Sequence, residues 1–185
     1  MDQNDKTEKQ FEEAIRLCRD VYLKKLGDYG SSWRILRSPS ITDQIFIKAS
    51  RIRSIDSKGE QKIDEGITPE YIGIVNYAVI ALIQLELGDS TDGEITPEQA
   101  EKLYDKHIRA ARDLMFLKNH DYGEVWREMR LSSLTDIILM RIKRIKQIED
   151  NDGKTLVSEG VGSNFMDIIN YAVFALIRIR ESGAS

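Results

Sequence analysis

Cysteine and histidine are nearly missing from this chain: one and two residues respectively out of 185. The lone thiol, Cys18, closes no internal disulfide, and no Cys/His spacing suited to zinc exists. Cys18 falls within a helical pattern and reads as a small core residue. A basic excess is missing too. There are 27 Lys and Arg against 31 Asp and Glu, a formal net charge of −4. An overall field of that sign does not draw in a polyanion, so direct nucleic-acid binding is the weakest functional class; it would need a local basic stripe. Long apolar runs are absent as well. The most apolar stretch, Ile72 to Leu87, is interrupted by Asn76, Gln84 and Glu86, and is shorter than the roughly 20 residues of a membrane span. The N-terminus is polar and carries no apolar signal region. The expectation is a cytoplasmic protein with no membrane partner. With 41% hydrophobic and 31% charged residues, the composition is that of a packed globular chain.

What the chain does have is an internal repeat. Asp28-Tyr29-Gly30-Ser31-Ser32-Trp33-Arg34 aligns with Asp121-Tyr122-Gly123-Glu124-Val125-Trp126-Arg127. In the same register Arg37 meets Arg130, Thr42-Asp43 meets Thr135-Asp136, Lys48 meets Arg141 and Arg51 meets Arg144. After a one-residue insertion, Ile74-Val75-Asn76-Tyr77-Ala78 meets Ile168-Ile169-Asn170-Tyr171-Ala172. A module of roughly ninety residues is written twice. The units span 1–88 and 95–185, joined by a polar linker at 89–94. Two copies are too few for a solenoid, so a pseudo-twofold pair sharing one core is expected.

Each unit reads as three helices, giving an all-α bundle of six. The first is expected over about Thr7 to Leu26, with Thr7 and Gln10 as a capping box and Gly27 after the end. Its copy opens at Thr96-Pro97-Glu98-Gln99, which combines an N-cap, a first-turn proline and a capping glutamine. The second helix is expected from near Thr42 to Lys58-Gly59, on the stripe Ile45, Ala49, Ile52, Ile55. The third runs from Thr68-Pro69-Glu70 to Leu87-Gly88, its copy from about Ser163 to Glu181. This helix is apolar nearly all round and should lie at the centre.

Four sets of residues recur and could carry chemistry. The Asp-Tyr-Gly turn either caps the next segment or closes over a ligand; in the second case Tyr29 and Trp33, or Tyr122 and Trp126, offer stacking surfaces for a base. The tryptophans could equally anchor the core. Lys48 and Arg51 share a helix face, as do Arg141 and Arg144; with Arg37 and Arg130 they could hold phosphate oxygens, or pair with carboxylates such as Asp43 and Asp136. Asn76 and Asn170 sit on the buried helix, where an amide needs partners, either a ligand or the other half of the molecule. Glu65, Glu70, Glu159 and Asp167 are the candidate acids. Glu70 meets Asn164 and Asp167 meets Gly73, so each copy keeps a different member of an i, i+3 pair that could help hold magnesium.

The pattern Asp-Tyr-Gly-x-x-Trp, then Asp-x-x-x-x-Lys/Arg-x-x-Arg, then Asp-x-x-Asn-Tyr-Ala resembles the nucleotide modification associated domain 1 family, once per unit. That family is in turn similar to MazG-like all-α nucleotide pyrophosphohydrolases, which use magnesium and clusters of glutamate and aspartate. The resemblance implies a nucleotide or nucleotide-like ligand and a MazG-like unit that commonly assembles as a dimer, here imitated by fusion, with further homo-oligomers open. The metal cluster is incomplete: the second helix has cations where those enzymes have glutamates, and the later pair survives only as Glu70-x-x-Gly73 and Asn164-x-x-Asp167. The expectation is therefore a nucleotide-binding protein of nucleotide metabolism or modification; any catalysis the resemblance implies is magnesium-dependent pyrophosphohydrolysis of a nucleoside triphosphate at a degraded metal site. Lys48, Arg51, Arg141, Arg144, Arg37 and Arg130 would face phosphate. Tyr29, Trp33, Tyr122, Trp126, Asn76 and Asn170 would line the base side, and Glu70, Glu159 and Asp167 are the acids for magnesium. The rival is a non-catalytic helical interaction module. A binding site should join the basic pair, the Asp-Tyr-Gly loop and a carboxylate around a cavity of roughly 300 Å³ or more, whereas a scaffold should pair those groups among themselves.

Overall fold

The computed structural model describes residues 3–58, 66–88, 93–156 and 159–183. They form six α-helices: α1 (Gln3–Tyr29), α2 (Ser38–Lys58), α3 (Thr68–Leu87), α4 (Pro97–Tyr122), α5 (Leu131–Asp150) and α6 (Val161–Glu181). A short 3₁₀ turn follows the first helix of each unit, at Ser32–Ile35 and Val125–Arg127. The described residues contain no strand, and the architecture is all-α as the periodicity predicts.

Local chemistry sets several helix ends. At α4 the Thr96 hydroxyl accepts from the Gln99 N–H at 3.2 Å, the Gln99 side chain accepts from the Thr96 N–H at 3.1 Å, and Pro97 opens the helix. Helix α3 starts at Thr68 with Pro69 in its first turn and stops at Gly88, which takes a φ of 76°. The start of α1 departs from expectation. The helix begins at Gln3, so Thr7 is an interior residue and not a cap. Thr7 is fully buried; its hydroxyl donates to Glu124 and accepts from Arg127 Nη2 at 2.7 Å, both in the other unit. Helix α1 also runs through Gly27 and ends only at Gly30, whose φ of 60° suits glycine and whose N–H returns to Leu26 O at 2.9 Å. Helix α2 begins at Ser38, ahead of Thr42, because Pro39 is a first-turn residue. Gly59 and most of the inter-unit linker, 89–92, lie outside the described residues.

Helices α3 and α6 pack on each other at the centre, α2 and α5 lie against them, and α1 and α4 also pack on both. Ile74, Val75, Ala78, Val79 and Ile83 of α3 are all fully buried, as are Ile168, Ile169, Ala172 and Val173 of α6. Each large apolar side chain so placed contributes on the order of 1.5–3 kcal/mol, which is why this pair is the foundation of the fold. At 20 residues and a mean hydropathy of 1.4, α3 is long and apolar enough to cross a membrane, contrary to the length read from Ile72–Leu87. Since 67% of that window is buried inside the bundle, its composition is that of a core helix.

The two units are related as a pseudo-twofold pair. Lys146 binds Asp43 at 2.6 Å and Arg53 approaches Asp136 at 3.8 Å; the two bridges join equivalent positions in opposite directions. Reciprocal contacts of this kind mark a twofold interface. Asp43 and Asp136 thus face cations of the opposite unit and are not the partners of Lys48, Arg51, Arg141 or Arg144. Buried polar contacts reinforce the seam: Tyr71 Oη lies 2.6 Å from Thr135 Oγ1, and Thr42 Oγ1 donates to Glu149 at 2.9 Å.

Candidate functional site

The duplication builds one cavity in each unit. After α1, Gly30 reverses the chain and the 3₁₀ turn carries Trp33 back over α3. The turn is fastened from below by Gln84, whose Nε2 donates to Arg34 O at 3.1 Å and Leu36 O at 2.8 Å. Arg34, itself buried, donates to the Gln84 carbonyl oxygen, to Gly88 O at 3.0 Å and to Gly93 O at 3.2 Å. In the second unit Arg178 replaces Gln84 and donates to Met129 O at 2.5 Å and Trp126 O at 3.4 Å. Between turn and helix a space remains. It measures about 770 Å³ in the first unit and about 390 Å³ in the second. Every residue lining the smaller cavity has its repeat counterpart lining the larger one, so the two are images of a single site.

In the first unit the floor is Gly73, Asn76, Tyr77 and Ile80 of α3, the roof is Tyr29 and Trp33, and Lys25 stands on the α1 wall. Lys48 and Glu70 close one end. Glu70 is 8% exposed and holds two cations: Arg51 Nη1 is hydrogen-bonded to Oε1, and Lys48 Nζ lies 3.7 Å from Oε2. A carboxylate this buried needs such compensation. Gly73 explains the path of Lys48. A Cβ there would come within 2.6 Å of Lys48 Cε and 2.7 Å of Cδ, so the side chain lies flat across the glycine with Nζ 5.9 Å from the Tyr77 ring. Trp33 is half-buried and stacks on no other ring among the described residues, and Tyr29 is 67% exposed.

The second unit fills the same space with its own side chains. Asp167 stands where the first unit has Gly73 and is 3% exposed. Lys118 Nζ binds its Oδ1 at 2.5 Å and Arg141 Nη2 its Oδ2 at 2.9 Å. Phe174 stands where the first unit has Ile80 and stacks on Trp126 at 4.2 Å with an interplanar angle of 4°. Arg127 covers the Trp126 ring from 4.2 Å. Trp126 is accordingly a core residue, 3% exposed, whereas Trp33 borders open space. These two replacements, Gly73 by Asp167 and Ile80 by Phe174, add side-chain volume where the cavity is halved.

The asparagines hold the helices together. Asn76 Nδ2 donates to Cys18 O at 3.0 Å and Asn170 Nδ2 to the equivalent Ala111 O at 2.9 Å. Tyr104 of the second unit donates to Asn76 Oδ1 at 2.8 Å, tying the halves together. The counterpart of Tyr104 is Phe11, which has no hydroxyl, and Asn170 Oδ1 is buried without a partner.

The remaining candidates are dispersed. Arg37 and Arg130 are exposed before α2 and α5 and line neither cavity. Arg144 is exposed too. It lies with Arg141, Lys154, Glu159 and Asn164 around a separate polar hollow of about 660 Å³ beside the α5–α6 connection. The basic pairs are thus split by their surroundings: Lys48 and Arg141 reach the cavities, Arg51 serves Glu70, and Arg144 points elsewhere. Glu70 and Asp167 line different cavities and Glu159 neither, and no three acidic, histidine or cysteine side chains converge among the described residues. With two cations on Glu70 and two on Asp167, these acids do not fit a magnesium ion. Glu65 lies outside the described residues. Two cavity residues escaped the sequence reading, Lys25 and Lys118, although they recur at the same spacing before the Asp-Tyr-Gly turn.

Fold and site together define a fused pair of all-α units, each with a cavity under its Asp-Tyr-Gly turn. The nucleotide modification associated domain 1 family matches residues 25–85 and 118–179, one segment per unit, and the chain belongs to that family. No curated protein and no solved structure matches it significantly.

Proposed function

We propose that the chain binds a nucleotide in the cavity of its first unit. The observation that carries this reading is the convergence of Tyr29, Trp33 and Tyr77 with the cations Lys25 and Lys48 on a single space of about 770 Å³. That volume falls within the roughly 300–1,000 Å³ of small-molecule sites. Tyr29, Trp33 and Tyr77 present faces or edges for a planar base; base–aromatic stacking contributes about 1–3 kcal/mol per base. Lys25 and Lys48 supply charge for the phosphate, and a hydrogen bond to a charged partner is stronger than a neutral one. Belonging to a family associated with nucleotide modification supports the same ligand class. The carboxylates Glu70 and Asp167, which a MazG-like hydrolase would use for metal, are here engaged by lysine and arginine, which favours binding over hydrolysis.

The test is a thermal-shift screen of nucleoside mono-, di- and triphosphates with and without magnesium, on the wild type and on Lys48→Ala and Trp33→Ala. Lys48→Ala leaves Glu70 its Arg51 partner, so the fold should survive. A ligand at a hundredfold excess over its Kd stabilises by about 2.7 kcal/mol. At about 2–4 °C per kcal/mol for a chain of this size, the shift should be roughly 5–11 °C in the wild type. Both variants should lose most of it. No shift with millimolar nucleotide would reject the reading in favour of a scaffold acting through a protein partner.

A further inference from the structure

We infer that the two units are not equivalent in binding: the second unit carries its own anion, Asp167, and only the first takes one from solution. This rests on the nucleotide reading for the identity of the ligand, but not for the anion subsite itself. In the second unit the Asp167 carboxylate lies between Lys118 at 2.5 Å and Arg141 at 2.9 Å. The repeat counterparts of those cations are Lys25 and Lys48, and the counterpart of the carboxylate-bearing residue is Gly73, which has no side chain and is crossed by Lys48. Lys25 is exposed and makes no ion pair among the described residues; Lys48 has only the longer contact to Glu70 at 3.7 Å. The first unit therefore keeps the two cations but carries its acid one turn earlier, at Glu70, which engages Arg51 and Lys48 and leaves Lys25 without a carboxylate among the described residues, and its cavity is about twice as large. A glycine inside a buried helix is otherwise a burden, since its backbone loses more freedom on folding than any other. A phosphate group between Lys25 and Lys48, with the Lys48 side chain lifted off Gly73, would stand where the Asp167 carboxylate stands in the other half. Asp167 is thus an internal stand-in for the ligand's anion, and Phe174 stacked on Trp126 is the stand-in for its ring. The ligand class this fits is a nucleoside monophosphate: one planar ring under Trp33 and one phosphate at the lysines.

Exchanging the two residues tests the inference. Equilibrium dialysis with the common nucleoside 5′-monophosphates should give one bound molecule per wild-type chain. Gly73→Asp, whose Cβ must displace the Lys48 side chain lying across the glycine, should weaken binding at least about tenfold, the loss expected when a carboxylate occupies an anion's place between its cations, while circular dichroism shows the helical fold retained. Asp167→Gly should open the second cavity. Its Tm should rise with inorganic phosphate by more than the wild type's, because phosphate replaces the missing carboxylate. Two molecules bound per wild-type chain, or Gly73→Asp binding as the wild type does, would overturn the inference while leaving nucleotide binding intact. A wild type that binds no nucleotide would instead reject the parent reading, and phosphate rescue of Asp167→Gly would then decide the inference alone. If Asp167→Gly does not fold, Asp167→Ala and the Gly73→Asp result decide it.

Discussion

Tyr104→Phe isolates one buried hydroxyl whose loss the duplication has already carried out in the other half. In the wild type Tyr104 is 1% exposed and donates at 2.8 Å to Asn76 Oδ1, itself on a residue 7% exposed. Removing the hydroxyl keeps the ring, including its stack on Tyr22 at 4.4 Å, so no apolar packing is lost. What is lost is a hydrogen bond of about 1 kcal/mol net, together with the cost of leaving an amide oxygen buried and unpaired; the total is about 1–3 kcal/mol. At about 2–4 °C per kcal/mol, a loss near the middle of that range lowers Tm by roughly 4–8 °C. Urea denaturation should show the same loss as a lower midpoint at unchanged slope. Phe11→Tyr, the reverse change at the equivalent position, offers a donor to the orphaned Asn170 Oδ1 and should move Tm upward. A change below about 0.5 kcal/mol for Tyr104→Phe would refute the claim that this hydroxyl ties the units through Asn76.

Two further outcomes follow from buried titratable groups. Burial holds the His107 pKa below its ordinary 6.5, against the pull of Glu86, whose Oε2 lies 2.8 Å away. The unfolded chain then takes up the proton first, so stability should fall as pH drops below about 6.5 and level off below the folded-state value. His107→Gln should remove that slope. The loss from Glu86, whose pKa is lowered chiefly by its hydrogen bond from Lys106, begins only below 4.5 and is distinguishable by its position. Cys18 is fully buried and burial pushes its thiol up to about 12. The native protein should leave a thiol reagent unreacted, with a full equivalent consumed in denaturant; fast labelling of the native state would show that α1 opens readily.

Much of the fold was legible because its signals are local and repeated. The Thr96-Pro97-Gln99 start, the Gly88 stop and the isoleucine stripes each follow from helix geometry within a few residues. The misreading of Thr7 has the opposite origin. Its spacing to Gln10 satisfies a capping box, yet Glu124 and Arg127 of the other unit hold its hydroxyl, and no local pattern reports contacts that distant. The site was half legible for the same reason. Recurrence picked out Tyr29, Trp33 and Lys48, which do meet in one cavity, but it also picked out Arg37, which remains on the surface. It could not show that Arg51 is engaged by Glu70, because that depends on how α2 and α3 dock. Lys25 was passed over since a lysine on the solvated face of an amphipathic helix is ordinary; only its alignment with Lys118 sets it apart.

The chain has two tryptophans, and they report on the two cavities separately. Trp33 borders the larger cavity, whereas Trp126 is packed on Phe174 and capped by Arg127. The most direct measurement is the fluorescence of Trp33 in a Trp126→Phe background, titrated with nucleoside 5′-monophosphate. Binding in the first unit predicts a saturable change in Trp33 emission that Lys48→Ala weakens. A flat titration in that background, with a response in the complementary Trp33→Phe protein, would place any ligand in the other half and contradict the account.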